Sequence, residues 1–233
     1  MKTKIQKKNK MNNNVNNTIR HNSNNLEIRN LGSIVERDYT DSRHVEGYAI
    51  VFDSRSEDLG FYEYIDRGAV TQELVDNCDI FALLNHDEEK VLARANHGAG
   101  SLTLTVDDRG LKYEFDAADT QLGNDLLEYL KRGEITTSSF AFYVDPRDPE
   151  AETWERKDGV NYRTIHKIAL IADVSPVWKA AYSATSVSQR SLDKCKELEE
   201  REIKEKEEAE KEILAKLDNK LNEINEQVKG IEL

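Results

Sequence analysis

The chain has 233 residues with 45 acidic and 33 basic side chains, which gives a net charge of −12 at pH 7. Nucleic acid is bound by basic surfaces, so this charge argues against nucleic acid as a main partner. No stretch approaches the roughly 18 to 20 apolar residues of a membrane span, and no apolar run follows the basic start of the chain, so neither a membrane helix nor a secretory signal is expected. Cys78 and Cys195 lie in different segments, so neither a disulfide framework nor a cysteine-based zinc site is expected. No cofactor is expected either. A reducing cytoplasm is the expected compartment.

The first segment, residues 1–25, is rich in Lys and Asn and contains almost nothing to bury. Burial cannot offset the entropy lost on ordering such a segment, so a disordered leader is predicted. It is interpreted either as a propeptide that is removed or as a solvated tail.

The central segment, residues 26–190, carries enough apolar side chains to close one core. Apolar or alternating runs bounded by Gly and charged residues predict strands at 26–31, 45–52, 102–106, 111–115 and 162–168. Many short strands with few helices predict a mainly β fold with flanking helices. The form expected is a closed antiparallel β-barrel, because closure removes exposed sheet edges.

Two helices are predicted within this segment, at residues 69–75 and 119–131. For the second, Asp119 or Thr120 is suited to cap the start, and Gly133 is suited to end it. Its leucines recur at helical spacing: Leu122, Leu126, Leu127 and Leu130. The helix leads directly into a serine-containing strand, which it is expected to support from behind.

From about Leu192 the composition changes to Glu, Lys and Leu without Pro, so residues 191–233 are predicted to form a charged helical tail. Apolar residues recur in it at alternating spacings of three and four, as in a coiled-coil seam: Leu214, Leu217, Leu221, Ile224 and Val228. A single helix cannot bury this stripe. The tail is interpreted as a site of self-association or docking onto a helical scaffold, or else as a solvated helix held by Glu–Lys pairs.

Three apolar segments each carry one polar side chain of the kind used in hydrolysis. His86 follows one apolar run, Ser139 lies within a second, and Asp173 ends a third. A nucleophile, a base and an orienting carboxylate supplied by separate strands is the arrangement of serine hydrolysis, whatever the chain order. The pattern therefore favours a protease, although His86 could also be a loop histidine that caps a strand end.

Ser138 stands next to Ser139 and is an alternative nucleophile. Neighbouring residues of a strand point to opposite faces, so only one of the two can face the site. Phe140 and Phe142 share a face with Ser138, whereas Ser139 shares the other face with the small Ala141. A small neighbour leaves room for substrate, so Ser139 is the predicted nucleophile.

Short motifs along the central segment resemble those of the prohead (capsid maturation) serine proteases of tailed phages, which are distantly akin to the herpesvirus assembly proteases. The resemblance covers residues 26–190 in collinear order, through segments 46–52, 56–63, 65–69, 84–87, 110–111, 139–142, 170–175 and 181–182. The His of the family's Asn-His-Asp motif falls on His86, the Ser of its Ser-Phe-Gly-Phe motif on Ser139, and the acid before its Val-Ser on Asp173. This chain departs from the family with Ala141 in place of Gly and with Lys-Ala-Ala-Tyr at 179–182.

The resemblance implies the same barrel and a serine endopeptidase that acts in the host cytoplasm, inside the immature prohead. The implied substrates are the scaffold or the scaffolding segment of the capsid protein, followed by the protease itself. It also implies an enzyme that becomes active only at high local concentration. The alternative is a non-catalytic or latent assembly scaffold that acts through the helical tail.

The third catalytic position has rival candidates. The herpesvirus relatives use a second His, which makes His166 a candidate, predicted on the same strand as Asp173 but on its opposite face. Asp87 is a minor candidate. Arg94 is a possible electrophilic helper or a surface salt-bridge partner, and His97 is predicted to lie in a loop. The histidines are too scattered for a zinc hydrolase, so no metal site is predicted.

Overall fold

The computed structural model describes residues 26–35, 42–178 and 186–229. The predicted leader and the motif at 179–182 lie outside the described residues. The chain divides into two compact units, Met1–Gln189 and Arg190–Leu233.

The described part of the first unit is mainly β. Its strands are β1 (Glu27–Ile34), β2 (His44–Val51), β3 (Tyr62–Ile65), β4 (Asp79–Leu83), β5 (Val91–Asn96), β6 (Ala99–Gly100), β7 (Thr103–Val106), β8 (Gly110–Asp116), β9 (Thr137–Tyr143), β10 (Glu152–Lys157), β11 (Val160–Ile165) and β12 (Leu170–Val177). They form a nine-stranded sheet in the order β6-β5-β4-β12-β9-β1-β2-β8-β7 and a three-stranded sheet in the order β10-β11-β3.

The nine-stranded sheet is nearly closed. The structure therefore confirms a barrel-like sheet but not the fully closed barrel that was expected. Its two end strands, β6 and β7, are parts of one chain segment separated only by Ser101 and Leu102. The Leu102 amide still donates to the Arg94 carbonyl on β5, after which the chain pairs with β8. The segment therefore changes partners in mid-course and links the two ends of the sheet.

The free edge of β7 is covered by a side chain. Gln72 donates from Nε2 to the Leu104 carbonyl at 3.1 Å and accepts the Val106 amide at 2.9 Å. Its amide group imitates the pairing of a neighbouring strand, which satisfies the edge that closure leaves open.

The sheets are mixed, so the prediction of a purely antiparallel barrel is wrong. Strand β12 runs parallel to β4, with Asp173 beside Phe81, and β11 runs parallel to β3. Parallel pairing requires a long connection between the strands, which the chain provides by placing β5 to β11 between β4 and β12. This connection could not be recognised from the alternation within each strand.

Three helices are described: α1 (Gln72–Asn77), α2 (Gln121–Lys131) and α3 (Ser186–Lys229). The second confirms the predicted helix, because the Thr120 hydroxyl caps its start by accepting the Gly123 amide and Gly133 follows its end with φ of 69°. Leu126 and Leu130 of its stripe are buried in the same core as Phe140 and Phe142 of β9. Within the described residues, no helix is long and apolar enough to cross a membrane.

Four fully buried charged side chains connect the two sheets, and we call them the buried ion cluster: Glu27, Arg29, Glu63 and Arg163. Arg29 donates from Nε to Glu63 at 2.7 Å and from a terminal nitrogen to Glu27 at 2.7 Å. Arg163 donates to Glu27 at 2.6 Å and to Glu63 at 2.8 Å. The cluster joins β1 of the large sheet to β3 and β11 of the small one.

The charges of the cluster compensate one another. Burial raises the pKa of the Glu27 carboxyl, but the attraction and hydrogen bonds of Arg163 and Arg29 outweigh burial and hold this pKa below its ordinary value. Glu27 is therefore ionised in the folded protein at neutral pH. Removal of one member would leave the opposite charge buried without its partner, which is the costly case for a buried ion pair.

We expect Glu27→Gln to lower the free energy of unfolding by about 3 to 5 kcal/mol, the usual cost of breaking a buried pair. The matched control is Asp53→Asn, which removes a carboxylate from the exposed pair with Arg67 and should cost less than about 1 kcal/mol. Urea unfolding at pH 7 measures both. Equal losses in the two variants would contradict a special role for the buried cluster.

The same carboxyl predicts a pH dependence. Because its folded pKa lies below its unfolded value of about 4.3, its contribution is present above that pH and is lost as the pH falls through the folded pKa. Unfolding free energies measured from pH 7 down to 3 should therefore decline less steeply in Glu27→Gln than in the wild type. A decline of Glu27→Gln that runs parallel to that of the wild type would contradict the assignment.

Candidate active site

Strands β9 and β12 bring the predicted serine and aspartate to one face of the sheet. In their antiparallel register Ser139 lies beside Ser175, and Ala141 lies beside Asp173. The register shifts between Ile171 and Asp173, which is the mark of a β-bulge. Directly paired residues and residues two apart share a face, so Asp173 and Ser175 project on the same side as Ser139.

The histidine reaches this face from the loop after β4. Because β4 runs parallel to β12, this loop lies beside the later part of β12, where the Asn85 amide donates to the Pro176 carbonyl at 3.0 Å. Asn85 and His86 both have left-handed backbone, with φ of 58° and 59°. Two successive non-glycine residues in this region are uncommon, and such strain is concentrated at functional sites. The turn directs the His86 ring back towards the two strands.

The three predicted side chains form a continuous hydrogen-bonded series. His86 Nε2 lies 2.6 Å from Ser139 Oγ, and His86 Nδ1 lies 2.7 Å from Asp173 Oδ1. A carboxylate only accepts, so the partners assign the proton to Nδ1 and leave Nε2 to accept the serine proton. The arrangement has the form used by hydrolases with a hydroxyl nucleophile.

The Ser139 hydroxyl is completely buried and has a second acceptor. Its Oγ lies 2.9 Å from the Arg29 carbonyl of β1. The β1–β9 register shifts between Arg29 and Gly32, so two residues of β1 lie opposite Ser139. This second bulge is next to the candidate nucleophile. The single hydroxyl proton thus has two acceptors, His86 Nε2 and the Arg29 carbonyl.

Ser138 points to the other side of β9, as the alternation predicted. Its hydroxyl donates to the Tyr113 hydroxyl at 2.9 Å, and both side chains are buried. The rings of Phe140 and Phe142 stack with their centroids 4.8 Å apart in the same core. Ser138 is therefore part of the packed interior, on the opposite side of the strand from His86.

His166 has hydrogen-bond partners other than His86, and its predicted place on the strand of Asp173 is wrong. Strand β11 ends at Ile165 and β12 begins only at Leu170, so His166 is in the connection between them. Its Nδ1 contacts an Asp66 carboxylate oxygen, and its Nε2 lies 2.8 Å from the Thr153 hydroxyl. The His166 side chain in this second Thr–His–Asp series is about one-third exposed, which is ordinary for a hydrogen-bond network at the surface.

The remaining candidates have other partners. Asp87 is paired with Lys90 at 2.9 Å. Arg94 forms two hydrogen bonds with Asp79, which agrees with the prediction that it is a surface salt-bridge partner. His97 lies in a turn between β5 and β6, as predicted. Within the described residues, no group of three or more His, Cys, Asp or Glu side chains could hold a metal ion.

Two features of the site were not assigned from the sequence. Ser175 donates from Oγ to Asp173 Oδ1 at 2.6 Å, and the Arg29 carbonyl contacts Ser139. The first had a signal in the sequence, because a serine two residues after an aspartate in a strand shares its face. The second had none, since the contact of a backbone carbonyl depends on a bulge in a strand more than 100 residues away.

One comparison with known proteins, the match to a family, agrees with the motifs in the sequence. A match to the Caudovirus prohead serine protease family spans residues 32–200, and the chain belongs to this family. Among solved structures, the chain is similar to the bacteriophage T4 capsid assembly protease, gp21, with a TM-score of 0.41 and 12% identity over 66% of this chain and 97% of that one. Among curated proteins, none matches the chain significantly. The family membership confirms the resemblance and supports a protease role in prohead maturation.

We expect Asp173→Asn and His166→Ala to differ sharply in activity. Asparagine would keep the volume but favour the wrong tautomer of His86, with a loss of up to about 10⁴-fold in rate. His166→Ala alters only the network with Asp66 and Thr153 and should cost far less. The rate of self-cleavage, followed by mass spectrometry, measures both variants. A larger loss in His166→Ala would favour the arrangement with two histidines.

Proposed function

We propose that the protein is a serine endopeptidase of phage prohead maturation with Ser139 as nucleophile, His86 as general base and Asp173 as the orienting carboxylate. The observation that carries the proposal is the 2.6 Å contact between His86 Nε2 and Ser139 Oγ, which is short enough for direct proton transfer. Asp173 accepts the proton on the other ring nitrogen. The family membership independently supports the same chemistry.

The proposed mechanism follows from these contacts. Ser139 Oγ attacks the scissile carbonyl carbon while His86 Nε2 takes its proton, and Asp173 stabilises the imidazolium that forms. His86 then gives this proton to the leaving amine, and the carbon–nitrogen bond breaks to leave an acyl-enzyme. A water molecule, deprotonated by His86, attacks the ester carbonyl carbon; the bond from this carbon to Ser139 Oγ then breaks, and His86 returns the proton to Ser139 Oγ.

The nucleophile must become accessible before it can attack. Ser139 is completely buried, and the side chains of His86 and Asp173 are only 13% and 11% exposed. The hydroxyl must also direct its proton to His86 rather than to the Arg29 carbonyl. We therefore assign the described conformation to a latent form of the enzyme, which is what the resemblance implies for an enzyme expected to become active only at high local concentration.

The proposed substrates are the scaffold or the scaffolding segment of the capsid protein, and then the protease itself. Within this chain, the leader at 1–25 and the tail at 191–233 are the proposed sites of self-cleavage. Protease cleavage requires an extended and accessible chain, which the predicted leader would provide directly and the tail only where its helix unwinds, whereas paired strands do not provide it. The place of action is proposed to be the interior of the prohead, within the host cytoplasm.

A latent assembly scaffold is the second candidate function. Two observations favour it: the burial of Ser139 and the exposure of the apolar residues of α3. Each of Leu214, Leu217 and Leu221 is more than half exposed along this helix. In this view the helical tail would carry the assembly role, and the β unit would be a folded domain without catalytic activity.

Ser139→Ala should abolish self-cleavage, whereas Ser138→Ala should leave it intact. An enzyme that has lost its triad nucleophile accelerates hydrolysis by only about 10³- to 10⁴-fold over the uncatalysed reaction in water, which is too slow to observe in hours. Concentrated protein is incubated and its mass recorded over time. The wild type and Ser138→Ala should shorten in the leader or tail, and Ser139→Ala should stay full length.

Two further results would decide between the candidate functions. Persistent trimming of Ser139→Ala, after a second purification to remove contaminating protease, would rule out the assigned nucleophile. A wild type that stays full length even inside assembled proheads would favour the scaffold role.

The tail makes a separate prediction. We expect the chain to form dimers or larger oligomers through α3, because burial of the leucine stripe is worth about 1.5 to 3 kcal/mol per side chain. Leu217→Glu with Leu221→Glu should dissociate them. The control, Ala215→Glu with Asn219→Glu, adds the same charge outside the stripe. Sedimentation decides it, and a monomeric wild type would leave self-association without support.

A further inference from the structure

Ser175 is a buried hydroxyl directed at the candidate site. It is fully buried on β12, and its Oγ donates to Asp173 Oδ1 at 2.6 Å. The same oxygen accepts the Nδ1 proton of His86 at 2.7 Å. One carboxylate oxygen thus receives two hydrogen bonds, one from the imidazole and one from the serine.

The position of Ser175 is fixed by the sheet. It lies two residues after Asp173 on β12 and directly beside Ser139 of β9. The strand backbone therefore holds its hydroxyl on the face of the site, whatever the loop of His86 does. Strand pairing with Ala141 and Phe81 likewise fixes the backbone of Asp173, but it does not fix rotation about the side-chain bonds that carry the carboxylate.

A carboxylate that must hold an imidazole needs a fixed rotation about its own side-chain bonds. With a single partner, Asp173 could turn and move Oδ1 away from His86 Nδ1. A second donor on the same oxygen opposes this rotation, because a hydrogen bond to a charged acceptor is short and strong. Misplacement of a catalytic group by about 1 Å typically costs on the order of 10²-fold in rate.

We propose that Ser175 is a positioning residue that fixes the Asp173 carboxylate and, through it, the His86 ring. The proposal rests on the proposed function for its effect on rate, but the geometric effect on His86 is independent of catalysis. Ser175 itself does not touch the reacting atoms in this role. The competing explanation is that its hydroxyl only satisfies a buried hydrogen bond, as most buried hydroxyls do.

Ser138 is the matched control for that explanation. It is also a completely buried serine, but its hydroxyl donates to the Tyr113 hydroxyl at 2.9 Å and lies 3.4 Å from the Ser175 backbone carbonyl, and neither contact involves the Asp173 carboxylate. Ser138→Ala and Ser175→Ala remove the same atom from equally buried sites. Only the second removes a donor from Asp173.

The first measurement is NMR of the imidazole N–H proton shared by His86 and Asp173, in the full chain carrying Ser139→Ala so that self-cleavage cannot occur. The signal is assigned by its loss in His86→Gln. Adding Ser175→Ala should shift this signal and speed its exchange with water, and Ser175→Thr should largely restore it. Adding Ser138→Ala should leave it in place. An unchanged signal in Ser175→Ala would overturn the proposal.

The second measurement is the self-cleavage rate of the chain with Ser139 intact. Ser175→Ala should lower it by roughly 10- to 100-fold, and Ser175→Thr should recover most of the loss. In an Asp173→Asn background, Ser175→Ala should add less than about threefold, because the two residues act as a unit. Urea unfolding midpoints should change equally in Ser175→Ala and Ser138→Ala.

The outcomes separate the two proposals. Full additivity of Ser175→Ala with Asp173→Asn would show a general structural role and contradict positioning. A shifted imidazole signal in a chain whose wild type stays full length even inside assembled proheads would uphold the positioning role and contradict the endopeptidase function.

Discussion

The pairing of β9 with β12 is the constraint on which the candidate site depends. It places Ser139 beside Ser175 and puts Asp173 on the same face, without any contribution from a flexible loop. Only His86 comes from outside this pair, and the parallel pairing of β4 with β12 delivers its loop to the same place. Rigid strands thus set three of the four positions, which is the precision that a proton-transfer site requires. The fourth position, that of the His86 side chain, depends on a strained left-handed backbone at Asn85 and His86.

The other neighbour of β9 connects the site to the stability of the whole unit. Strand β1 contacts Ser139 through the Arg29 carbonyl, while the Arg29 side chain belongs to the buried ion cluster. Buried ion pairs add little net stability compared with apolar packing, but they admit few alternative arrangements because an unpaired buried charge is costly. We infer that the cluster favours one register of β1, and with it the bulge opposite Ser139. At the site, the Ser139 hydroxyl has two hydrogen-bond acceptors, His86 Nε2 and the Arg29 carbonyl.

Sequence reasoning recovered the local elements and the side chains of the site better than the way in which they are connected. Strand alternation distinguished Ser139 from Ser138, and helix capping located α2, because both depend on neighbouring residues. The parallel pairing of β12 with β4 was missed, since nothing within either strand encodes its partner. His166 was misplaced because its apolar neighbours continued the alternation across the connection from β11 to β12. The roles of His86, Ser139 and Asp173 rested on motifs of the family as well as on these patterns.

The central claim is that Ser139 is a nucleophile activated by His86, and covalent labelling tests it most directly. The full chain is treated at high concentration with a small fluorophosphonate, digested, and mapped by mass spectrometry. The account predicts a single adduct on Ser139 that is absent in His86→Ala, because the unactivated hydroxyl of an ordinary serine does not react. An adduct on Ser138 or Thr153, or labelling of Ser139 that is equally fast without His86, would contradict it.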